Sequence, residues 1–415
     1  MSIEQQDLTT TIAKMTENSA KRHKPETRLS HLGRDPQRFD GAVNPPVYHA
    51  STILAPDTAT FQQGPKRRFE AGATVYGRFG TPTHHALQDA LRDLEGGADT
   101  LLLPSGLQAI VAALMTVLRA GDHVLVADTV YAPTRKTCDG VLARFGVSTT
   151  FFDPLVDAAG LDALVHDDTK AVFLESPGST TFEIQDVPAL ARAAKARGLA
   201  VLMDSTWATP LYFRPLEHGV DLSVQAATKY IVGHSDAMLG TVTANADWAG
   251  ALRDTVFQLG GCIGPDDAYL GLRGLRTLAV RLERHWAGAL RVARWLERRP
   301  EVQRVLHPAL ESHPQHALWQ RDFDGASGLF SMVLAEPYPE AAVHAMLDGY
   351  ELFGIGASWG GFESLAIPSD PRPIRSATTW EAAGPTIRLH IGLEDPDDLI
   401  ADLEAGFGRL HKAPR

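Results

Sequence analysis

Cysteine is nearly absent from this chain, which has only Cys138 and Cys262 among its 415 residues. Two cysteines cannot build a disulfide framework, and these two are not spaced as metal ligands. We therefore expect a reducing compartment, in which both thiols are buried or inert. A dense basic run is also missing, and 50 acidic residues outnumber 39 basic ones, so nucleic acid is not an expected partner.

Long apolar runs are absent as well. No segment approaches the length that crosses a bilayer, and residues 1–24 lack the apolar stretch of a signal peptide. A cytoplasmic protein without a membrane partner is the expectation. The chain exceeds the size at which one hydrophobic core usually stops growing, which favours two core-forming domains.

Composition and periodicity change along the chain and predict four segments. Residues 1–26 contain little that could pack and predict a mobile tail. Residues 27–83 are rich in Pro, Gly and turn residues without a sustained helical period, as in an arm that wraps over another surface. Residues 84–277 alternate short β-branched runs with amphipathic helices, which predicts a mostly parallel sheet covered on both faces. Residues 278–415 open with a long amphipathic helix and continue as a smaller α/β domain.

Two charged residues follow apolar strands of the predicted sheet. Asp204 ends the strand 200–204, and Lys229 comes shortly after the strand 220–226. Ligands of open α/β sheets bind beyond the carboxyl ends of the strands. An amine that forms a Schiff base and a carboxylate that keeps a pyridine nitrogen protonated are the pair that pyridoxal 5'-phosphate (PLP) requires. Taken alone, such a pair is more often a surface salt bridge.

A phosphate site is predicted at Ser105–Gly106–Leu107, between a strand and a helix, where free backbone N–H groups and the helix dipole attract an anion. Thr228 can add a hydroxyl group. A lone Ser–Gly before a helix is weak evidence, because it is more often a cap. Tyr131, just after the strand that ends at residue 127, is a candidate for stacking on the ring, although aromatic residues at strand ends more often belong to the core.

Several short motifs of the sequence resemble, in their order and spacing, those of the Cys/Met-metabolism family of PLP enzymes. They are YGRFGTPT at 76–83, FLESP at 173–177, DSTW at 204–207, ATKY at 227–230 and GLRTL at 274–278. The resemblance covers nearly everything from Thr27 to Leu410. It implies an aminotransferase-like architecture (fold type I), with PLP on Lys229 and with Asp204 at the ring nitrogen. It also implies a homotetramer of two tight dimers, in which Tyr76 and Arg78 reach the phosphate of a neighbouring subunit.

Within that family, three further motifs are most similar to those of bacterial cystathionine β-lyases: residues 232–236, 357–361 and 387–394. This similarity implies that Arg388 binds the substrate α-carboxylate, between Ser358 and Trp359. A guanidinium offers the bidentate match that a carboxylate needs. The resemblance further implies that Lys229 is the base and that Tyr131 assists it.

The expected reaction is β-elimination on L-cystathionine to homocysteine, pyruvate and ammonia, a step of methionine biosynthesis. Cysteine and its S-conjugates are further candidate substrates. The alternative is a γ-elimination or γ-replacement enzyme of the same family: cystathionine γ-lyase, methionine γ-lyase or cystathionine γ-synthase. Three positions depart from the family pattern, so ring contacts are expected to differ slightly. Ser205 replaces a frequent Asn, Leu107 replaces a frequent Met, and Ala226 lacks a hydroxyl that many relatives carry.

Three other interpretations are weaker. Residues 356–360 match the nucleophile elbow of serine hydrolases, with Asp370 and His390 downstream, but no helical run follows them. A histidine group at positions 307, 313 and 316 lies in a Pro-rich stretch without Cys or spaced acidic residues, which favours a solvated loop over a metal site. A non-enzymatic regulator would need a DNA-binding extension, which the sequence lacks.

Overall fold

Short elements precede the central sheet. In this computed structural model, which describes residues 23–412, helix α1 spans Pro25–His31 and helix α2 spans Thr58–Arg67. Residues 1–22 of the predicted tail lie outside the described residues, and α1 begins within its last two positions. Helix α2 corrects the expectation that residues 27–83 hold no sustained helix. Pro65 inside this helix had masked the pattern.

The first domain is built on a seven-stranded sheet with the order β1-β7-β6-β5-β4-β2-β3. Strand β7 runs antiparallel to both of its neighbours, and the pairs among β2 to β6 are parallel. The predicted mostly parallel α/β sheet is therefore confirmed. The strands are β1 (Asp99–Leu103), β2 (His123–Ala127), β3 (Ser148–Phe152), β4 (Thr169–Glu175), β5 (Ala200–Asp204), β6 (Leu222–Gln225) and β7 (Gly240–Ala244).

Helices cover this sheet, and its interior strands are buried throughout, which is why they read as continuous apolar runs. A 3-10 turn at Gly77–Phe79 precedes the first of these helices. The helices are α3 (Pro82–Glu95), α4 (Gly106–Val117), α5 (Ala132–Thr137), α6 (Ala158–Asp162), α7 (Val187–Ala196), α8 (Thr209–Tyr212), α9 (Ala249–Gln258) and α10 (Pro265–Leu275). Helix α5 continues as a π-helical turn over Cys138–Leu142.

The second domain starts with the long helix α11 (Leu278–Leu296) and contains a four-stranded antiparallel sheet with the order β10-β11-β9-β8. A separate apolar core fills the space between this sheet and its helices. The remaining elements are β8 (Val302–Leu306), α12 (His316–Asp322), β9 (Leu329–Leu334), α13 (Glu340–Asp348), β10 (Leu365–Pro368), β11 (Thr386–His390) and α14 (Pro396–Lys412).

The expectation that the three histidines lie in a solvated loop was wrong for two of them. His307 and His313 are buried, 0% and 4% exposed, and do not lie in a solvated loop. The ring of His307 packs on Phe330, with centroids 5.4 Å apart, and His313 bonds to the backbone of Phe182 in the first domain. Cys138 is buried, which raises the pKa of its thiol to about 11, whereas Cys262 is exposed. Among the described residues, no helix is long and apolar enough to cross a membrane.

Candidate cofactor and substrate site

A cavity of about 280 Å³ lies beyond the carboxyl ends of β6, β5 and β4, and residues of both domains line it. Its position follows from the sheet register, in which Glu175, Asp204 and Val224 sit side by side on β4, β5 and β6. Nine of the predicted site residues line the cavity: Ser105, Gly106, Leu107, Tyr131, Asp204, Thr228, Lys229, Trp359 and Arg388.

Lys229 reaches into the cavity from the turn that follows β6. Its Nζ donates a hydrogen bond of 2.7 Å to Oγ of Ser358 and lies 5.3 Å from the ring centroid of Trp359. Burial and the nearby positive charge of Arg388 lower the pKa of this amine to about 8, against the opposing effect of Asp204. About a tenth of the amine is therefore unprotonated, and nucleophilic, at pH 7, far more than for a lysine of ordinary pKa.

Asp204 ends β5 and is buried. The N–H and the hydroxyl group of Thr206 both donate to its Oδ1, at 2.9 and 2.6 Å. Burial raises the pKa of this carboxyl group, whereas the Thr206 bonds and the charge of Lys229 lower it. Within the described residues no donor bonds to Oδ2, so this oxygen is available to a protonated ring nitrogen in the cavity.

Glu175 is a site residue that the sequence interpretation missed. It ends β4 beside Asp204, accepts a hydrogen bond from the N–H of Tyr131 at 2.7 Å, and lies 2.6 Å from the hydroxyl of Ser179. Burial, together with the charge of Asp204, raises the pKa of Glu175 well above its usual range. Its place directly after an apolar strand, in the FLESP motif, was the available signal.

Tyr131 stands at the start of α5 with its phenol ring about half exposed to the cavity. Burial and the negative charge of Asp204 raise the pKa of its hydroxyl group. The ring is therefore a neutral hydroxyl donor that can stack on a planar group. The bond from its backbone N–H to Glu175 fixes the turn that carries it.

The anion-binding end of the cavity is the first turn of α4. The N–H groups of Gly106 and Leu107 are in the first turn and have no partner within the helix. A Cβ atom on Gly106 would lie 2.4 Å from Cβ of Ala226, so only glycine permits this close approach. Ser105 caps the helix by accepting from the N–H of Gln108, which leaves its own hydroxyl proton free for an anion.

Thr228, which the sequence also assigned to the phosphate, has a hydroxyl group that is less available to bind an anion. Its Oγ1 accepts from the N–H of Leu239 at 2.8 Å and lies 3.1 Å from the carbonyl oxygen of that residue. The hydroxyl group lines the cavity, but its single proton already has an acceptor.

Arg388 lies on β11 and enters the cavity from the second domain. Its Nη2 donates to the carbonyl oxygens of Ala357 and Ser358, at 2.9 and 3.2 Å, which leaves the rest of the guanidinium for a ligand. Burial lowers its pKa to about 10, so it is cationic at neutral pH. A buried cation whose fork is partly free is suited to a carboxylate.

The loop 357–360 is held against the backbone of Lys229. Gly360 has a φ of +85°, and a Cβ atom there would lie 2.9 Å from the carbonyl carbon of Lys229. Its N–H donates to Nε2 of His390 at 3.0 Å, and burial lowers the pKa of that imidazole well below its usual range. No strand precedes and no helix follows this loop, so it is not a nucleophile elbow.

Tyr76 and Arg78, also predicted for the phosphate, lie outside this cavity. They line a separate cavity of about 370 Å³. Nη1 of Arg78 donates to the carbonyl oxygen of Phe257 at 2.7 Å, and Tyr76 is 43% exposed. A single chain therefore does not bring these two residues to Lys229.

The donor set fits PLP and not a metal. A nucleophilic amine, a buried carboxylate with one free oxygen and an anion-binding helix terminus match the aldehyde, ring nitrogen and phosphate of that cofactor. Over residues 23–412, no group of three or more His, Cys, Asp or Glu could hold a metal ion. The roles of individual residues remain predictions.

Comparisons with known proteins agree with this chemistry. The family described as Cys/Met metabolism PLP-dependent enzyme matches residues 26–408. Cystathionine beta-lyase MetC of Escherichia coli is 44% identical over 394 residues, 93% of this chain and 99% of that protein. An L-alanine/L-glutamate racemase of a Wolbachia strain is 40% identical over 93% of this chain and 98% of its own. The crystal structure of metB from Corynebacterium glutamicum superposes with a TM-score of 0.85 at 30% identity, covering 94% of this chain and all of the other.

Proposed function

The chain belongs to the Cys/Met-metabolism family of PLP-dependent enzymes, and on that premise we propose that it is a carbon–sulfur lyase that β-eliminates L-cystathionine. The products are homocysteine, pyruvate and ammonia, and other cysteine S-conjugates are further substrates. One observation carries this proposal. A single loop ties the amine of Lys229 to Ser358 and the guanidinium of Arg388 to the carbonyl oxygens of Ala357 and Ser358.

Bound PLP supplies the electron sink that makes the α-proton of an amino acid acidic. The residues of the chain place the substrate for that step. Arg388 holds the α-carboxylate, and the hydrogen bond between Nζ of Lys229 and Ser358 keeps the amine beside the α-carbon. Asp204, whose Oδ1 is taken by Thr206, would hold the protonated ring nitrogen of that cofactor.

Proton movement is assigned to Lys229 and Tyr131. The amine, whose pKa is lowered to about 8, takes the α-proton because far more of it is unprotonated near neutral pH than in an ordinary lysine. The sulfur leaves as a thiolate and needs a proton. Tyr131 donates it from its neutral hydroxyl group, or Lys229 returns the proton that it accepted. The ring centroid of Trp359 lies 5.3 Å from Nζ of Lys229, and the similarity of residues 357–361 to cystathionine β-lyases supports β-elimination over γ-elimination.

Product analysis tests the proposal. Purified protein loaded with PLP is incubated with L-cystathionine, and the keto acid and thiol are identified by mass spectrometry. Pyruvate with homocysteine is expected, and Lys229→Ala should form neither. Formation of 2-oxobutyrate with cysteine would move the assignment to γ-elimination. Asp370→Asn is the control variant, since Asp370 lies at the surface and pairs with Arg372.

Racemisation is the second candidate, because a relative at 40% identity is named as an alanine and glutamate racemase. Tyr131 and Lys229 both line the cavity, so a proton removed by one can be returned by the other. The same preparation is therefore incubated with L-alanine and analysed on a chiral column. Appearance of D-alanine at a rate comparable to that of pyruvate formation from cystathionine would make racemisation the main activity.

We also propose a homotetramer built from two tight dimers, in which each site is shared. Tyr76 and Arg78 lie outside the cavity of their own chain, and the segment that carries them exposes Leu54 (88%) and Phe61 (71%). Large exposed apolar side chains support burial against a second copy. In that arrangement Tyr76 and Arg78 complete the phosphate site of the neighbour.

Complementation tests the shared site. One preparation carries Tyr76→Phe with Arg78→Ala, and the other carries Lys229→Ala. After an equal mixture is unfolded and refolded, about a quarter of wild-type activity should return. Half of the sites have an intact lysine, and random pairing gives half of those an intact arm from the neighbouring subunit. No recovery in a mixture with verified subunit exchange would place the whole site in one chain.

A cytoplasmic location is proposed as well. Cys138 and Cys262 are both free thiols, which supports a reducing compartment.

A further inference from the structure

A strap from the second domain, residues 371–378, crosses to the first domain at the edge of the cavity. Its anchor is Asp128, the residue directly after β2, whose side chain is fully buried. The backbone N–H groups of Ser376, Ala377 and Thr378 all donate to this carboxylate at 3.0 Å, and the hydroxyl group of Thr378 adds a further bond at 3.0 Å. Such a carboxylate fixes the path of the strap through its backbone.

The negative charge of the anchor, Asp128, is balanced by a neighbouring arginine. Arg135 forms an ion pair with Asp128, and its guanidinium carbon lies 3.5 Å from the ring centroid of Phe151. The donors from the strap and the charge of Arg135 outweigh burial and hold the pKa of Asp128 below its usual range. The carboxylate is thus ionised at neutral pH, when it accepts these bonds most strongly.

A second attachment lies on the strap itself. Arg375, whose side chain is 5% exposed, pairs with Glu183 at 3.0 Å and donates to the hydroxyl group of Thr181. Both partners lie in the loop that follows β4, so the strap is tied to the first domain beyond two neighbouring strands, β2 and β4. Ile374 is the residue directly before Arg375, and these attachments fix its position.

Ile374 lines the cavity in company with Tyr131, Thr180 and Trp359. The anion-binding first turn of α4 lies beside β6 and Ala226, whereas the strap is attached beyond β2 and β4. In the strand order, β5 separates these two regions. A phosphate bound at α4 leaves the part of the cavity beside the strap open to an amino-acid substrate, and Ile374 presents a branched apolar side chain there.

We propose that Ile374 is a specificity-determining residue that limits the size of the group on the substrate sulfur, and that Asp128 and Arg375 are its positioning residues. This inference rests on the proposed function as a thioether lyase. A bulky sulfur substituent extends beyond the β-carbon and meets Ile374. A short substituent ends before it.

The test uses the PLP-loaded enzyme and a series from S-methyl-L-cysteine to S-butyl-L-cysteine. In Ile374→Ala, the ratio of kcat/KM for the butyl over the methyl compound should rise about tenfold, the discrimination that one or two methylene groups provide. In Ile374→Phe, the same ratio should fall about tenfold. Ile355→Ala is the matched control, because Ile355 is exposed and outside the cavity. An unchanged ratio in both Ile374 variants would overturn the inference.

A binding measurement separates this inference from the proposed reaction. L-alanine and L-norleucine, which carry no leaving group, are titrated against the visible spectrum of the enzyme to give dissociation constants. Ile374→Ala should tighten norleucine relative to alanine by about tenfold, whether or not thioethers are cleaved. Equal changes for the two ligands would overturn the role of Ile374. Absent pyruvate formation from every thioether would refute the reaction alone.

The positioning role of Asp128 has its own readout. Asp128→Asn keeps the shape of the side chain but removes the charge that the strap donors share. Amide hydrogen exchange of residues 376–378 should accelerate at least about tenfold, and the butyl-to-methyl ratio should move in the same direction as in Ile374→Ala. Arg372→Ala, on the same strap but paired only with surface Asp370, should change neither. An unchanged exchange rate of residues 376–378 in Asp128→Asn would show that Asp128 does not position the strap.

Discussion

Glu175 and Asp204 occupy directly paired positions at the carboxyl ends of two parallel strands, so two buried carboxyl groups stand side by side below the cavity. Like charges this close cannot both be ionised without a large cost. Burial raises the pKa of both groups. The Thr206 donors and Lys229 oppose this effect for Asp204, whereas the charge of Asp204 adds to it for Glu175 and keeps a proton there. Asp204 is thus the anion that pairs with the cofactor, and Glu175 is a neutral acid that binds the backbone of the turn carrying Tyr131.

This division predicts opposite outcomes for two isosteric variants. Glu175→Gln should retain activity within about threefold, because a neutral amide can accept from the N–H of Tyr131 as the protonated acid does, and can still bond to the hydroxyl of Ser179. Asp204→Asn should lose about a hundredfold or more, because the charge opposite the ring nitrogen is gone. The check is kcat with cystathionine at saturating PLP. Equal losses in the two variants would show that both carboxyl groups are charged.

The lowered pKa of Lys229 predicts how cofactor-free protein captures PLP. Only the unprotonated amine attacks the aldehyde, so the capture rate should rise with pH and level off above about 8. Stopped-flow absorbance measures the rate, and Lys229→Arg should show no covalent capture. A rate that keeps rising beyond about pH 10 would mean that the cavity leaves the basicity of the amine at its ordinary value.

Arg388→Lys keeps a positive charge but loses the fork that binds a carboxylate. We expect kcat/KM to fall roughly ten- to two-hundredfold, as for the loss of about 1.5 to 3 kcal/mol in a charge-assisted hydrogen bond. Arg284→Lys is the matched control, because Arg284 also donates to backbone carbonyl oxygens, those of residues 393 and 394, but at the surface. Unchanged efficiency in Arg388→Lys would place the substrate carboxylate elsewhere.

Glu95, the last residue of α3, is fully buried and accepts one hydrogen bond from Gln225 at 3.3 Å. Burial raises its pKa to about 7. The folded state therefore holds a proton on Glu95 that the unfolded state releases above about 4.5, so this contribution to stability is present at low pH and is lost as the pH rises to about 7.

Glu95→Gln should remove that dependence. Relative to wild type, the free energy of unfolding of the variant should gain up to about 3 kcal/mol at pH 8 and nothing near pH 4.5, because each pH unit that separates the folded and unfolded pKa values corresponds to about 1.4 kcal/mol. Denaturant titrations of the cofactor-free protein at the two pH values provide the comparison. Glu311→Gln, an exposed site, is the control. An equal effect at both pH values would mean that Glu95 is ionised in the fold.

Local sequence signals located most of the cavity. Asp204 and Lys229 follow short apolar strands, and the paired register of β4, β5 and β6 brings those strand ends together. Glu175 obeys the same rule and was overlooked. Helix α10 was also missed, although Pro265 at its first position followed by two aspartates is a clear start signal.

Other features were beyond a local interpretation. Asp128 binds backbone N–H groups about 250 positions away, and a backbone donor carries no signature in the sequence. The burial of His307 depends on packing against Phe330 of β9, the strand that pairs with β8. Tyr76 and Arg78 have a local pattern suited to phosphate, but their place relative to a cavity is decided by assembly.

The most direct measurement concerns the covalent attachment of PLP. Purified enzyme is reduced with borohydride and digested, and the peptides are sequenced by mass spectrometry. A reduced pyridoxyl group on the peptide that contains Lys229, with loss of the visible absorbance band, is the predicted result, and Lys229→Ala should yield no such peptide. Modification of a different lysine would contradict the account. So would a protein that binds PLP but carries no covalently attached cofactor after borohydride reduction.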